Sequence, residues 1–422
     1  MRQAGRLPAY TVYLASRFAF NVAFMLFATV SGVYRVQDAQ LNALQLILVG
    51  TALELSVFLF EAPTGIVADL YSRRLSTIIG MFIVGIGFIL EGSFVLFGTI
   101  LLAQVVWGIG YTFTSGATDA WIADELGEAG LVRVYLRGSQ VATLGSLLGI
   151  VGGMAIGSVQ VSWGMLAGGA VFILLGLFLL LVMPETNFRP APREHLTTFQ
   201  AMGSTFRGGV AAIRGRPTLI TLMIIGAIYG ASSEAFDRLR EAHLIRSYDF
   251  PAFDDKPVLW FGAIGIAGMF LSLVVTEVIR RRISANSPGQ AARALLIVNT
   301  LLMAGVIGFG VAGNVELAIT TYLVAFLMRQ LNVPLYTALV NQSINPQVRA
   351  TVLSMTTQAD SFGQFTGGPL LGVVGTVFSV RAAIVATGVV LVPAMALYAR
   401  IARDPGGELP VEPAPDDGSE VV

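Results

Sequence analysis

Residues 61–74 read EAPTGIVADLYSRR, a short polar interruption between two long apolar stretches. Gly65 would allow close contact between helices, and Asp69 follows it four residues later. Arg73 and Arg74 precede the next apolar run, as expected where a helix leaves the lipid on the cytoplasmic side. We expect this segment to connect the second and third membrane spans. Alternatively, it is a basic loop that only sets the topology.

The composition indicates an integral membrane protein. Of 422 residues, 55% are hydrophobic and 12% are charged, and the mean hydropathy is +0.74. An average soluble domain carries about a quarter charged residues, so this chain has too few to cover a water-facing surface. Its apolar runs are long and unbroken, which favours helices over the alternating strands of a β-barrel. The predicted fold class is an all-α membrane protein.

Twelve apolar runs are each long enough to cross about 30 Å of hydrocarbon. They are predicted at residues 9–33, 41–67, 75–97, 99–123, 138–160, 163–183, 217–242, 258–279, 292–313, 316–340, 350–376 and 380–402. This division gives an N-terminal six-helix bundle (1–183), a cytoplasmic linker (184–216), a C-terminal six-helix bundle (217–402) and an acidic tail (403–422). The tail is rich in Pro and Gly and is expected to be disordered.

The distribution of positive charge predicts the topology. Of the 26 Lys and Arg residues, 18 lie on the side of the N-terminus, 6 lie on the other side, Arg35 among them, and Arg17 and Arg329 lie within spans. Both termini and the linker are therefore expected in the cytoplasm. The N-terminal stretch carries Arg17 and Asn21 inside its apolar run, so we interpret it as the first span and not as a cleaved signal peptide.

The two halves of the chain also resemble each other. Asp69 is followed four and five residues later by Arg73 and Arg74, and Glu277 is followed at the same offsets by residues 281 and 282, both Arg. The two acids are 208 residues apart, close to half the chain. Such a repeat is typical of duplicated transporters.

Twelve predicted spans, a central linker and the sequence GIVADLYSRR resemble the major facilitator superfamily. The loop pattern of that family is Gly-x-x-x-Asp-Arg/Lys-x-Gly-Arg/Lys-Arg/Lys. Leu70 and Ser72 depart from it, and four residues match it: Gly65, Asp69, Arg73 and Arg74. The resemblance implies two pseudo-symmetric six-helix bundles and alternating access.

The resemblance also implies a conformational latch. Asp69 would contact the eleventh helix, and Arg73 would pair with an acid at the end of the fourth helix, where Asp124 and Glu125 stand. Such contacts are favourable only while the two halves touch, so they would hold one conformation.

Two further segments are similar to the drug-efflux branch of the family, which includes macrolide and tetracycline exporters. They are FEAPTG at 60–65 and SSEAFDRLREAHL at 232–244. Gln104 replaces the arginine that drug–proton members often carry on helix four, and the fifth span lacks their Gly-Pro pair. It instead repeats glycine every four residues, a ridge for tight helix contact: Gly145, Gly149, Gly153 and Gly157.

Ionisable residues inside the spans are costly, so each is expected to have a partner or a water-filled cavity. The candidates for buried charge or proton coupling are Arg17, Glu54, Glu61, Asp119, Arg329 and Asp360. Matched depth predicts an Arg329–Asp360 pair, and Arg17 is expected to pair with Glu61 or Asp119. Alternatively, these are structural ion pairs that never titrate. Glu54 has no obvious cation and is a candidate proton carrier, or a carboxyl hydrogen-bonded to a neighbouring helix.

By the family resemblance, helices one, four, seven and ten line a central cavity. Residues on them that would face a substrate are Asn21, Trp107, Tyr111, Thr114, Tyr229 and Asn332. Aromatic side chains beside a few polar groups suit an amphiphilic solute. Glu234, Asp237 and Arg238, at the outer end of helix seven, form either an external gate or a group of charges reaching for water.

The sequence thus predicts a secondary transporter that exports a lipophilic small molecule by proton antiport from the bacterial cytoplasmic membrane. Alternatives are proton-coupled symport of a polar solute and lipid flipping. The spans hold no side-chain group with catalytic spacing, so we do not expect an enzyme. Neither His195 nor His243 has a metal-ligand companion, and cysteine is absent. The expected partners are lipid, the substrate and protons, with no cofactor, metal or nucleic acid, and the protein is expected to be a monomer.

Overall fold

The computed structural model describes residues 7–128, 130–190, 217–249, 256–282, 287–344 and 349–403. Every regular element within these ranges is helical, which agrees with the predicted all-α class. Most of the predicted linker (191–216) and the tail after residue 403 lie outside the described residues. So do the side chains of Arg281 and Arg282, which leaves the repeat of the loop motif a prediction.

The first half of the chain contains α1 (Ala9–Val33), a π-helix (Tyr34–Asp38), α2 (Ala43–Leu70), α3 (Arg73–Ser93), α4 (Phe97–Thr114), α5 (Ala117–Leu126), α6 (Leu131–Gly157) and α7 (Val161–Val182). The second half contains α8 (Pro217–Ser247), α9 (Pro257–Arg282), α10 (Pro288–Val311), α11 (Val315–Gln342), α12 (Arg349–Val377), α13 (Val380–Val390) and α14 (Val392–Arg403).

By length and composition, eleven helical segments in the described residues can cross a membrane. Helix α12 is not among them, although it has 29 residues, because polar residues such as Asp360 and Gln364 interrupt its apolar sequence. Together with α12, these segments account for the twelve predicted spans.

Two predicted spans contain a break in the structure, and a third begins a full turn or more before its predicted start. The fourth is broken at Ser115–Gly116, where Gly116 has a φ of 69° and starts the separate helix α5. The fifth begins at Leu131 and not at residue 138. The twelfth is interrupted at Leu391, because Pro393 cannot donate the backbone hydrogen bond that would continue the helix.

Side-chain caps fix where α2 and α3 begin. Asn42 and Gln45 form a reciprocal capping box at α2, with N–O distances of 2.9 and 3.0 Å. Ser72 takes the place of the second family glycine, and its hydroxyl accepts a hydrogen bond from the Leu75 N–H at 2.9 Å. The departure from the family pattern at this position therefore supplies the N-cap of α3.

Small residues allow the helices of each half to pack closely. The predicted ridge on α6 is confirmed, since a Cβ added at Gly145 would lie 2.5 Å from the Phe18 carbonyl of α1. In the second half, α8 and α12 meet through Gly230 and Gly363, which pack against the backbone carbonyls of Asp360 and Ala227. In lipid the hydrophobic effect does not drive helices together, so van der Waals contacts between small residues stabilise their packing instead.

The two halves of the chain contact each other at one end of the helices, which we call the Arg246 end. The Leu44 N–H donates to Thr376 Oγ1 at 3.0 Å, and Arg246 Nη2 donates to the Leu41 carbonyl at 2.6 Å. Helices α6 and α9 also meet there, where Gly157 packs against Val258. We call the opposite end, which carries residues 69–74, the Arg73 end.

Gly65 does not make the predicted close helix contact in this structure. Nothing lies within 4 Å of a Cβ added at Gly65, and Asp69, one turn further along α2, is exposed. The residues before α12, at 345–348, lie outside the described residues, so the predicted contact of Asp69 with the eleventh span is not tested.

Candidate functional site

A cavity of about 660 Å³ lies between helices of the two halves. Its walls come from α1, the π-helix, α2, α4 and α6 on one side and from α8, α9 and α11 on the other. The aromatic lining residues are Phe24, Phe27, Trp107, Phe261, Tyr322 and Phe326, and the charged ones are Arg35, Asp237, Arg238, Arg240 and Glu241. This volume is within the range of small-molecule sites in proteins, about 300–1,000 Å³.

The aromatic wall is held by ring contacts in the first half. Phe27 stacks on Phe88 with a centroid distance of 3.7 Å, and Phe88 meets the Trp107 ring edge-on at 5.7 Å. Phe24 lies 6.4 Å from Trp107. Because these rings support one another, they form a rigid apolar surface for a ligand.

The opposite wall is a charged face of α8. Arg238 Nε lies 2.9 Å from Glu234 Oε1, and Arg240 Nε lies 2.7 Å from Glu241 Oε1. Four charged residues share one side of α8, because the last three follow the first by three, four and seven positions: Glu234, Asp237, Arg238 and Glu241. Sequence reasoning considered only the first three of these, as charges at a helix end, and missed Arg240 and Glu241.

Arg329 of α11 pairs with Asp237 of α8. Its Nη1 and Nη2 atoms lie 2.5 and 2.7 Å from the two carboxylate oxygens, a bidentate geometry, and its Cζ lies 5.7 Å from the Phe236 ring centroid. The predicted Arg329–Asp360 pair is therefore wrong. The prediction matched the depths of Arg329 and Asp360 along their helices but not the directions in which their side chains point. Asp360 instead accepts a hydrogen bond from Gln364 of its own helix at 2.7 Å.

Arg17 does not form either predicted salt bridge. Glu61 accepts a hydrogen bond from Ser115 Oγ at 3.3 Å, and Asp119 accepts one from Tyr13 Oη at 3.5 Å. The break at Gly116 places Asp119 in the first turn of the short helix α5, and sequence reasoning did not predict this break.

Glu54 lies on α2, one turn from Gly50. The Glu234–Arg238 pair of α8 packs directly against Gly50, so Glu54 lies next to a salt bridge of the other half. Among the described residues, no hydrogen bond or salt bridge involves the Glu54 side chain. Its role in proton coupling remains a prediction.

Arg35 belongs to a buried polar network in the first half. Its Nε donates to Glu91 Oε1 at 2.7 Å, and Glu91 Oε2 accepts from Gln104 Nε2 at 2.5 Å. Trp107 Nε1 in turn donates to Gln104 Oε1 at 3.0 Å. The sequence interpretation counted Arg35 among charges outside the membrane and did not consider Glu91. A carboxylate at the end of an otherwise apolar span was the signal that could have found it.

Of the six predicted cavity residues, only Trp107 is among those that line this cavity. Asn21 bonds the Arg17 carbonyl at 2.8 Å, and Asn332 is buried against Asn299, with 2.9 Å between their amide nitrogen and oxygen. The others, which the structure also places away from the lining, are Tyr111, Thr114 and Tyr229. Substrate contacts for these residues remain predictions.

At the Arg73 end, Arg73 Nη1 lies 3.0 Å from Asp124 Oδ2. Asp124, one of the two predicted partners, is therefore in contact with Arg73. Both residues belong to the first half, so this pair does not require the two halves to touch, and its latch role stays a prediction. The other predicted partner, Glu125, binds the start of the linker instead, accepting hydrogen bonds from the backbone N–H and the hydroxyl of Thr186 at 2.6 and 2.7 Å. Glu185 accepts from Ser72 Oγ at 2.6 Å and therefore ties the same linker segment to the start of α3.

No group of His, Cys, Asp and Glu in the described residues could hold a metal ion. His243 is buried, its Nε2 lies 2.9 Å from the Phe309 carbonyl, and its Nδ1 lies 3.2 Å from the Ser247 hydroxyl. Because a carbonyl only accepts, Nε2 carries the proton and Nδ1 accepts from Ser247. His243 thus joins α8 to α10.

The family model described as Major Facilitator Superfamily matches residues 9–363. The uncharacterized MFS-type transporter YxaM of Bacillus subtilis (strain 168) is 19% identical over 377 residues, covering 87% of this chain and 90% of the relative.

Solved structures share the fold at low identity. The nucleoside transporter NupG aligns with a TM-score of 0.73 at 16% identity, covering 93% of this chain and 99% of that one. A bacterial homologue of the human lysosomal transporter Spinster, inward-facing and unoccupied, gives 0.71 at 18% identity, covering 95% and 98%. A POT family transporter in complex with a thioalcohol-conjugated peptide gives 0.71 at 13% identity, covering 94% and 96%.

Proposed function

This chain belongs to the Major Facilitator Superfamily and is a membrane transporter, and we propose that it is a secondary active transporter that works by alternating access. The observation that carries this proposal is the cavity of about 660 Å³ between the two halves of the chain. In the proposed mechanism, two six-helix bundles rock around this cavity and expose it to one side of the membrane at a time.

The contacts between the halves support a conformation that is closed at the Arg246 end. Leu44 and Arg246 make hydrogen bonds across the halves there, at 3.0 and 2.6 Å. At the Arg73 end, Gly65 meets open space and Asp69 is exposed. We infer that this conformation is inward-facing, since the charge distribution predicts the Arg73 end in the cytoplasm. The latch of Asp69 would form when that end closes.

The proposed substrate is an amphiphilic small molecule. The aromatic wall around Phe27 and Trp107 offers apolar contact, and the α8 face offers charged groups that can orient a polar end. We propose export driven by proton antiport, with Glu54 as the proton carrier. Glu54 lies next to the Glu234–Arg238 pair, so a rearrangement of α2 against α8 would let Arg238 exchange between the two acids. Such an exchange would couple protonation of Glu54 to the conformational change.

A second candidate function is proton-coupled uptake of a polar organic solute. The observation in its favour is the charged α8 face, which a purely lipophilic substrate would leave without partners. The solved structures with the same fold include a nucleoside transporter and a POT family transporter in complex with a conjugated peptide.

Uptake into inside-out membrane vesicles with an imposed pH gradient tests both candidates. The panel comprises lipophilic cations, tetracyclines, macrolides, nucleosides and dipeptides, and vesicles without the protein are the control. Antiport predicts that a vesicle interior made acidic drives accumulation, because protons leave the lumen as substrate enters. If accumulation requires the opposite gradient, symport is correct. Absence of protein-dependent movement of every solute in either gradient would contradict the transport proposal.

A further inference from the structure

We propose that Arg35 binds the anionic end of the substrate, so that the transported molecule is an organic anion that joins a carboxylate to an aromatic ring system. This inference rests on the proposed function and names the substrate class of the same cavity.

Most of the hydrogen-bond donors of the Arg35 side chain have no protein partner among the described residues. Arg35 lines the cavity, yet within the described part of the chain its side chain donates only through Nε, to Glu91. A guanidinium has five N–H donors, and four of them belong to the two Nη groups. These four donors are therefore available to a ligand, and a carboxylate can accept two of them in the parallel geometry that arginine favours.

Glu91 is buried behind the Arg35 guanidinium. Its side chain is 0% exposed, and both of its oxygens are occupied, one by Arg35 and one by Gln104. Glu91 thus lies behind the guanidinium, away from the cavity. It fixes the direction of Arg35 and compensates the cost of burying it, while the cavity side sees only donors. Glu91 is by this argument a positioning residue.

The backbone that carries Arg35 is irregular. Residues Tyr34–Asp38 form a π-helix, in which the Ala39 N–H bonds the Tyr34 carbonyl at 2.9 Å. The wider turn is followed by Gln40, which has a φ of 49°, a conformation uncommon for a residue other than glycine. π-helical turns occur frequently at functional sites, because they redirect side chains that a regular helix would place elsewhere.

The surface next to the Arg35 guanidinium is aromatic. Arg35 Cζ lies 5.8 Å from the Phe27 ring centroid, and Trp107 is joined to the same network through Gln104. A ligand whose carboxylate meets Arg35 would therefore place its adjoining rings against Phe27 and Trp107.

The acids on the facing wall repel an anion less than unpaired carboxylates would. Glu241 lies 2.7 Å from Arg240 Nε, and Asp237 is held by both Nη groups of Arg329. Because both acids are paired, neither presents an uncompensated negative charge to the cavity. Arg35 is itself paired with Glu91, so its preference for an anion comes from its Nη donors and not from an excess of positive charge.

Equilibrium dialysis with the full chain in lipid nanodiscs tests the inference. The probes have one shape and three charges: 2-naphthoate, 2-naphthamide and 2-naphthylmethylammonium. The expected order of affinity is anion, then neutral, then cation. Arg35→Gln should weaken naphthoate binding by about 10- to 100-fold, as expected for the loss of hydrogen bonds to a charged group, and weaken naphthamide binding less, because a neutral amide oxygen accepts weaker hydrogen bonds from a guanidinium than a carboxylate does. Arg35→Lys should restore part of the preference.

Two further variants separate binding from folding. Arg35→Met combined with Glu91→Met removes the charge pair together and should keep the fold while abolishing the preference for the anion. Arg133→Gln, at an exposed position of α6, is the matched control and should retain it. Equal affinity for the three probes, or an anion preference that survives in the folded double variant, overturns the inference, as does the absence of naphthoate binding.

The outcome is distinguishable from that of the transport proposal. Selective naphthoate binding without movement of any solute into vesicles would support the anion site and contradict transport. Movement of solutes by a protein that binds the three probes equally would support transport and overturn the anion site.

Discussion

Breaking the Arg35–Glu91 pair from one side should be far more damaging than removing both charges. In Glu91→Met, Arg35 keeps its charge in a site where its side chain is only 8% exposed. Removing one partner of a buried ion pair destabilises a protein by about 3–5 kcal/mol. Gln104 also loses an acceptor, at a cost of about 1–3 kcal/mol. The single variant should therefore lose at least about 3 kcal/mol of unfolding free energy.

The double variant, with Met at both positions 35 and 91, should recover most of this loss. Replacing a buried ion pair by apolar residues of similar volume is often neutral or stabilising, so the remaining cost is that of the unpaired Gln104 amide, about 1–3 kcal/mol. The coupling between the two substitutions is then on the order of several kcal/mol, well above the error of a double-mutant cycle.

Unfolding by denaturant in mixed micelles, monitored by tryptophan fluorescence in the absence of ligand, measures these differences. Arg133→Met, at an exposed position, is the control and should change the unfolding free energy by less than about 0.5 kcal/mol. The reasoning is refuted if Glu91→Met loses less than about 1 kcal/mol, or if the double variant is as unstable as the sum of the two single ones.

Three more predictions concern coupling, the latch and packing. Glu54→Gln should make transport insensitive to an imposed pH gradient, because the amide cannot take up a proton; intact coupling in vesicles would exclude Glu54 and direct attention to Asp360 or Asp119. Asp69→Asn should slow turnover severalfold in vesicle assays while largely sparing substrate affinity, and unchanged turnover would remove the latch role. Gly363→Ala should lower the unfolding free energy by about 1–3 kcal/mol, since the added methyl would meet the backbone of α8. Gly265→Ala, where nothing lies within 4 Å, is its control, and equal stability of the two variants would contradict the packing argument.

Sequence reasoning predicted the helices well, because the bilayer enforces long apolar segments with few exceptions. It failed where a single residue changes the backbone. Gly116 breaks the fourth span with a positive φ, and Pro393 interrupts the twelfth. Neither effect can be read from hydropathy alone.

The charge pairs were predicted less well, and the reason is geometric. Hairpin depth gave Asp360 as the partner of Arg329, whereas Asp237 of a helix far away in sequence faces it. Depth fixes one coordinate of a side chain, but pairing also depends on the direction in which each helix presents it. The family resemblance placed Arg73 opposite an acid at the end of the fourth span, and the structure shows that this acid is Asp124 and not Glu125.

Arg35 shows a different limit. Its position near the end of an apolar run made it resemble a residue that reaches water, and it was counted as such. In the structure the π-helix turns it inward onto Glu91, some 56 residues later in the chain. A local pattern cannot predict such a contact, since nothing near Arg35 in sequence indicates its partner.

Alternating access is tested most directly by distances measured at both ends of the helices. The chain has no cysteine, so spin labels can be placed without background substitutions. One pair, Val159→Cys with Phe378→Cys, reports the Arg246 end, and another, Val132→Cys with Arg293→Cys, reports the Arg73 end; all four positions are exposed. Pulsed electron paramagnetic resonance in nanodiscs, in acidic and alkaline buffer and with each naphthalene probe, should show one distance lengthening whenever the other shortens. Distances that stay fixed, or that lengthen together, would contradict the account.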